Sequence, residues 1–181
     1  MKKHICSIGL AALAAVAALT SSSLAQGQVS TGKESVGVYD SRAIAIAFAG
    51  SPMFAAELQQ LKADHAKAQD AGDLATAAKL EAQGKARQVE MEKQGFGTAS
   101  VDDILVRITN ALPEIQKTAG VTALISKWDE TKLKQHPGAE TADVTQKLID
   151  AFQPNDRARK NAIAIQRRKP ISPAQAEKIK D

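Results

Sequence analysis

The chain has 181 residues, 24 basic against 20 acidic side chains, three His and one Cys. Apolar residues make up 44% and charged residues 24%, which excludes a chain disordered by composition, while 3% aromatics argues against a large β-sandwich or barrel core. One Cys excludes a disulfide framework or a thiolate zinc site within one chain, and three scattered His leave little for metal or acid–base chemistry.

Residues 1–25 read as a signal peptide. Met1-Lys2-Lys3 is a basic start, Ile5 to Leu19 is almost all apolar, and Ser23 and Ala25 supply the small residues of a peptidase site. Cleavage is expected after Ala25, with the periplasm as the destination. The apolar run is short for a membrane span and no basic stop-transfer cluster follows it. Cys6 precedes the apolar run, so it is not a lipid-attachment cysteine. Without Lys2, Lys3 and Cys6 the mature chain has 22 basic and 20 acidic residues and no Cys. Its stability must come from packing or association.

Residues 26–35 are polar and read as a flexible start. Val36-Gly37-Val38-Tyr39 alternates as a short strand ending at Asp40. Ser41 is the expected N-cap of a helix from Arg42 to Ala49; Ile44, Ile46 and Phe48 also alternate as a strand would, but the intervening Ala residues favour helix. Ser51-Pro52 starts the next helix. There Phe54, Leu58, Leu61, His65 and Ala68 step by four and three, the spacing of a helix laid against a partner helix. Gly72 and Asp73 turn the chain, and Leu74 to Gln94 returns with many Ala, so an antiparallel hairpin is expected over residues 52–94.

Gly95-Phe96-Gly97 interrupts the return helix. Ser100 and Asp103 suggest a new helix start, followed by a stripe of Ile104, Leu105, Ile108, Leu112 and Ile115 that Pro113 should kink. Gly120 ends it. Val121 to Trp128 reads as a second strand, His136-Pro137-Gly138 as loop, and Val144 to Phe152 as a helix capped by Asp143. Residues 153–181 form a basic tail: from Asn155 onward eight basic residues face three acidic ones, behind a body of 14 basic and 17 acidic residues. Arg157, Arg159, Lys160, Arg167, Arg168 and Lys169 could dock on anionic lipid or lipopolysaccharide. A solvated terminal helix with a frayed end is the alternative. Export makes nucleic acid a poor partner.

The order of leader, short strand, helical hairpin, second strand and closing helix resembles the periplasmic Skp/OmpH-like chaperone family over residues 36–152. Val36 to Asp40, Val121 to Asp129 and Asp143 to Ile149 carry the resemblance. It implies an α+β, mostly helical fold: a small β body built by several chains, a homotrimer, with projecting coiled-coil arms around a cavity for unfolded outer-membrane proteins. Val36, Val38, Leu124 and Ile125 would fall in the oligomeric body, and Phe54, Leu58 and Leu61 at the base of the arm. The arm is short, about 25 Å from Phe54 to Asp70 at 1.5 Å per residue. The Gly95-Phe96-Gly97 interruption, the mildly acidic body and the basic tail depart from the family.

Of the residues that could carry chemistry, Asp40 and Asp129 each follow a strand and read as strand-end turns rather than a carboxylate pair. Asp102-Asp103 reads as a helix start. His65 lies on the hairpin seam, and Trp128 should pack over the body. Phe96 is either a client contact or a plug in the joint between arm and body. Gly95-Phe96-Gly97 lacks the setting and the Lys of a phosphate loop. What the resemblance implies for function is an ATP-independent holdase, with Phe54, Leu58, Leu61 and Phe96 expected to touch unfolded clients; no catalytic residue, metal or cofactor is expected, and the chain is not expected to be an enzyme. The alternative is an exported oligomeric coiled-coil structural or interaction protein of the cell envelope.

Overall fold

The computed structural model describes residues 33–172 and Gln175. The leader and residues 26–32 of the expected flexible start lie outside the described residues. The fold is α+β and mostly helical. Strand β1 (Ser35–Tyr39) leads directly into α1 (Ser41–Ala49); α2 (Pro52–Asp70) and α3 (Leu74–Phe96) form the hairpin. Then come α4 (Asp102–Leu105), a 3₁₀ turn (Val106–Ile108), α5 (Leu112–Ala119), β2 (Ala123–Ser126) and α6 (Glu130–Leu133). Strand β3 (Glu140–Asp143), α7 (Thr145–Ala151) and α8 (Asp156–Ile165) complete it.

The three strands form one sheet in the order β2-β1-β3, with both neighbours parallel to β1. Parallel pairing needs a long crossover, and the hairpin with α4 and α5 provides the one between β1 and β2. In register, Gly37 faces Leu124 and Ala142, and Val38 faces Ile125 and Asp143. A Cβ on Gly37 would stand 2.9 Å from a Leu124 methyl and 3.2 Å from Val144, so those side chains would have to shift to admit one. Successive residues face opposite sides of a sheet. Tyr39 and Leu124 therefore share the face packed on the main core, while Val36, Val38 and Ile125 share the other.

Helix α1 is the centre of the molecule. From Ala43 onward its sequence is apolar all round, which marks a buried helix rather than a surface one, and every residue from Ser41 to Ala45, with Ala47 and Phe48, is buried. The Phe48 ring meets Phe54 at 5.2 Å and Phe152 at 5.8 Å, both edge to face. This ties α1 to the root of the hairpin and to the end of α7. The cap of α1 is Asp40, whose carboxylate accepts from Arg42 N at 3.1 Å; Ser41, the expected cap, is the first helical residue instead.

The hairpin closes at Gly72, whose φ of +71° is the left-handed conformation that glycine adopts at least cost. Asp73 caps α3 through Thr76 N at 3.0 Å. Small residues form the seam: Ala68 and Ala77 are buried, and Gly84 lies against Leu61. Helix α3 continues through Gly95 and stops after Phe96, so the expected interruption is its end.

Three further expectations are corrected. The stripe from Ile104 to Ala119 is not one kinked helix but α4, a 3₁₀ turn and α5, with Pro113 in the first turn of α5, where its missing N–H has no partner to lose. Glu140–Asp143, where the sequence carries no strand signal, is a strand. The basic segment after Pro154 is in large part folded: α8 packs on α1 with Ala158 and Ala162 buried. Asn155 donates to Gly50 O through its backbone N at 3.0 Å and its side-chain Nδ2 at 3.1 Å. The main buried cluster, from Tyr39 to Ala162, is built within a single chain.

Candidate functional site: an apolar groove at the root of the hairpin

Pro52 and the Ser51 cap, which accepts from Phe54 N at 3.2 Å, start α2 beside the end of α1. The heptad stripe of α2 then turns toward α3. Because that stripe meets Gly84, Ala77 and other small side chains, the two helices leave a trough. A groove of about 1160 Å3 runs along it, lined by Ile46, Phe54, Leu58, Leu61, Leu80 and Met91, with Phe96 at its lower end.

The structure brings Phe54, Leu58, Leu61 and Phe96, separated by up to 42 positions in sequence, into this one groove. Leu58 and Phe96 are 39% and 45% exposed; Phe54 and Leu61 are half-buried. The Phe96 ring is therefore not a plug. The joint is made by its backbone, whose carbonyl accepts from Ile171 N at 3.0 Å. His65 also lines the groove, higher on the seam.

Charged side chains border the apolar floor. Arg107 reaches Glu57 at 2.8 Å, and Arg87 reaches Asp103 at 2.7 Å while its guanidinium stands 5.5 Å from the centre of the Phe48 ring. Lys85, 2.6 Å from Glu81, holds that carboxyl below its ordinary range through their hydrogen bond. Apolar floor and mixed-charge rim suit an extended peptide with apolar side chains better than a single small molecule.

The four residues assigned to an oligomeric body stand in the sheet. Val36 and Ile125 are buried by their own chain, and Val38 and Leu124 are half-buried. Of the tail residues, Arg157, Arg159 and Lys160 lie on α8. Arg159 pairs with Asp150, and the Arg168 carbonyl accepts from Arg42 Nη1 at 2.9 Å.

Asp40 and Asp129 are not strand-end turns of one kind. Asp129 caps α6 through Lys132 N at 2.9 Å. Asp40 is buried at the centre of a charge cluster that the sequence did not reveal. Its carboxylate receives Arg42 Nε at 3.0 Å, Arg42 Nη2 at 2.8 Å, Lys127 Nζ at 2.7 Å and Trp128 Nε1 at 3.2 Å. The Arg42 and Lys127 cations each stand 4.8 Å from the Trp128 ring centre. Burial alone would raise the Asp40 carboxyl, but the hydrogen bonds from Arg42, Lys127 and Trp128 and the Arg42 charge outweigh it and bring it to about 2. With every lone pair engaged, this carboxylate serves as a clamp across α1 and the ends of β1 and β2.

Among the described residues no group of three or more His, Cys, Asp or Glu is placed to hold a metal ion, and no helix is long and apolar enough to cross a membrane. Comparison with protein-family profiles, with curated proteins and with solved structures finds no match.

Proposed function

We propose that the protein is an exported, ATP-independent holdase that binds unfolded, apolar-rich chains, with outer-membrane proteins in the periplasm as its clients. One observation carries this reading. Four apolar side chains from the two ends of the hairpin meet in an open groove large enough for a peptide segment, and two of them are left substantially exposed. Exposed large apolar residues gathered in one place mark interaction sites. A shallow apolar floor with a mixed-charge rim gives affinity without sequence selectivity. Self-association, as a trimer, would set several such grooves around one client.

The test is suppression of light scattering as a denatured outer-membrane protein is diluted from urea. The protein should suppress aggregation at near-stoichiometric ratios. Leu58→Ser with Phe96→Ser should remove about 1 kcal/mol per apolar contact with the client and weaken binding roughly tenfold or more. Both residues are exposed, so the melting temperature should stay close to wild type. Full suppression by the double variant, or none by the wild type, defeats the reading.

The second reading is an envelope-docking spacer, and it rests on a different observation: Arg157, Lys160, Arg167 and Lys169 are exposed and make no ion pair among the described residues. Cosedimentation with phosphatidylglycerol vesicles but not phosphatidylcholine vesicles, without suppression of aggregation, would favour it.

A further inference from the structure

A second cavity, of about 360 Å3, shares no lining residue with the groove. It lies at the carboxyl ends of β1 and β2, where Tyr39 and Ser126 close their strands. In open parallel sheets that end is where loops part and small ligands bind. Three acidic residues line it, Asp102, Asp129 and Glu130, against one basic residue, Lys132.

Two observations give the cavity a chemical preference. The first is Tyr39, which lines the cavity, is only 4% exposed, and has a hydroxyl with no hydrogen-bond partner among the described residues. The hydroxyl oxygen is not one of the fully buried atoms that lack a partner, which are Ser41 Oγ and Gln94 Oε1, so it opens on the cavity. Burial, with the nearby charges of Asp102 and Asp129, pushes this phenol up from its ordinary range, so it stays neutral and offers both a donor and an acceptor. The second is Lys132, whose ammonium stands 3.6 Å from a carboxylate oxygen of Asp102 and 3.6 Å from one of Asp129. The protein's own side chain thus already occupies, from the rim, the place a ligand cation would take.

We propose that this cavity binds a small organic cation, a primary amine or guanidinium on a short aliphatic stem, held by Asp102, Asp129 and the Tyr39 hydroxyl in place of the Lys132 ammonium. The cation donates to both carboxylates and to the phenol oxygen. Trp128 provides the wall beside the stem. An anion would meet a net charge of −2 and is rejected.

The test is calorimetric titration of the purified protein with agmatine, using inorganic phosphate as the anionic control. Agmatine should bind saturably at one site per chain, and phosphate should not bind there. Tyr39→Phe keeps the packed ring and should weaken agmatine about tenfold, as expected for losing a hydrogen bond to a charged group. Asp129→Asn preserves a good α6 cap and should abolish binding. Lys132→Met removes the competing ammonium and should tighten binding about two- to fivefold, a gain that misfolding cannot imitate. No saturation by about 10 mM agmatine, equal binding of phosphate, or a Lys132→Met protein that binds no more tightly overturns the proposal.

Discussion

Replacing Asp40 by Asn isolates one charge in the middle of the fold. Asn still caps α1 and nearly preserves shape, so what is lost is the anion between Arg42 and Lys127. The Arg42 side chain is fully buried. Stripping the partner from a buried cation costs roughly 3–5 kcal/mol, and that is the expected loss in urea unfolding at pH 7. The pH dependence sharpens the prediction. The Asp40 carboxyl lies at about 2 in the folded protein against an ordinary 3.8. At about 1.4 kcal/mol per pH unit, that displacement corresponds to about 2.5 kcal/mol of stability. Because the folded value is depressed, the stabilisation is complete above about pH 4 and is lost as the pH falls toward 2. By pH 2 about 2 kcal/mol should be gone from the wild type and nothing equivalent from Asp40→Asn. The gap between the two proteins should therefore narrow by about 2 kcal/mol between pH 7 and pH 2, while acid effects on all other carboxylates cancel. A gap that stays constant across that range, or one below about 1 kcal/mol at pH 7, refutes the clamp. Adding Arg42→Met to Asp40→Asn should recover much of the loss, since an apolar replacement leaves no orphaned charge.

Gly50→Ala should destabilise by about 1–3 kcal/mol in thermal unfolding, because its new Cβ would fall 2.0 Å from the Ala158 Cβ and force α8 away from α1. Combining it with Ala158→Gly should restore part of the loss, and a tolerated Gly50→Ala would show that α8 is not held against α1. At the hairpin tip, Gly72→Ala meets nothing within 4 Å but sits at φ +71°, so about 1–2 kcal/mol should be lost purely from backbone strain. Gly72→Asn should cost less, since Asn tolerates that conformation; equal losses for the two variants would contradict the argument.

The hairpin was legible because its cues are local. Ser51-Pro52, Gly72-Asp73 and the four-three stepping of Phe54, Leu58 and Leu61 each follow from chain-neighbour sterics and helical period. Helix α1 was legible for a similar reason, although Ile44, Ile46 and Phe48 alternate like a strand. A helix enclosed on all sides need show no polar face, and there the alternation is an accident of filling the gaps with Ala. Strand β3 was not legible. Glu140-Thr141-Ala142-Asp143 has little apolar content; it is a strand because its backbone completes β1 from an edge. The Asp40 cluster was half legible. Asp40 and Trp128 stand out in the sequence only singly, 88 positions apart, and only the parallel pairing of β1 with β2 brings the strand ends together. The same pairing creates the cavity beside Tyr39.

The standing of α8 changes how self-association should be understood. Charge alone sets residues after Pro154 apart as a tail, because charge is read along the chain while packing is read across it. Ala158 and Ala162 are the residues that matter for attachment, and their spacing of four puts them on one helical face against α1. Deleting Asn155 to Asp181 would therefore uncover the core as well as remove cations, so it cannot separate docking from folding. Charge reversal at Arg157 and Lys160, both exposed, leaves the Ala face intact and can. With α8 in place the buried cluster around Ile44, Phe48 and Phe152 is complete in one chain. Association between copies is then not needed to finish the interior, and its energy must come from the half-buried Val38 side of the sheet, its open edges, or the hairpins. A trimer built that way would dissociate on dilution without unfolding, whereas one that shares a core would lose both states together. Sedimentation and circular dichroism followed over the same dilution series distinguish the two, and the closed core of the single chain argues for the first.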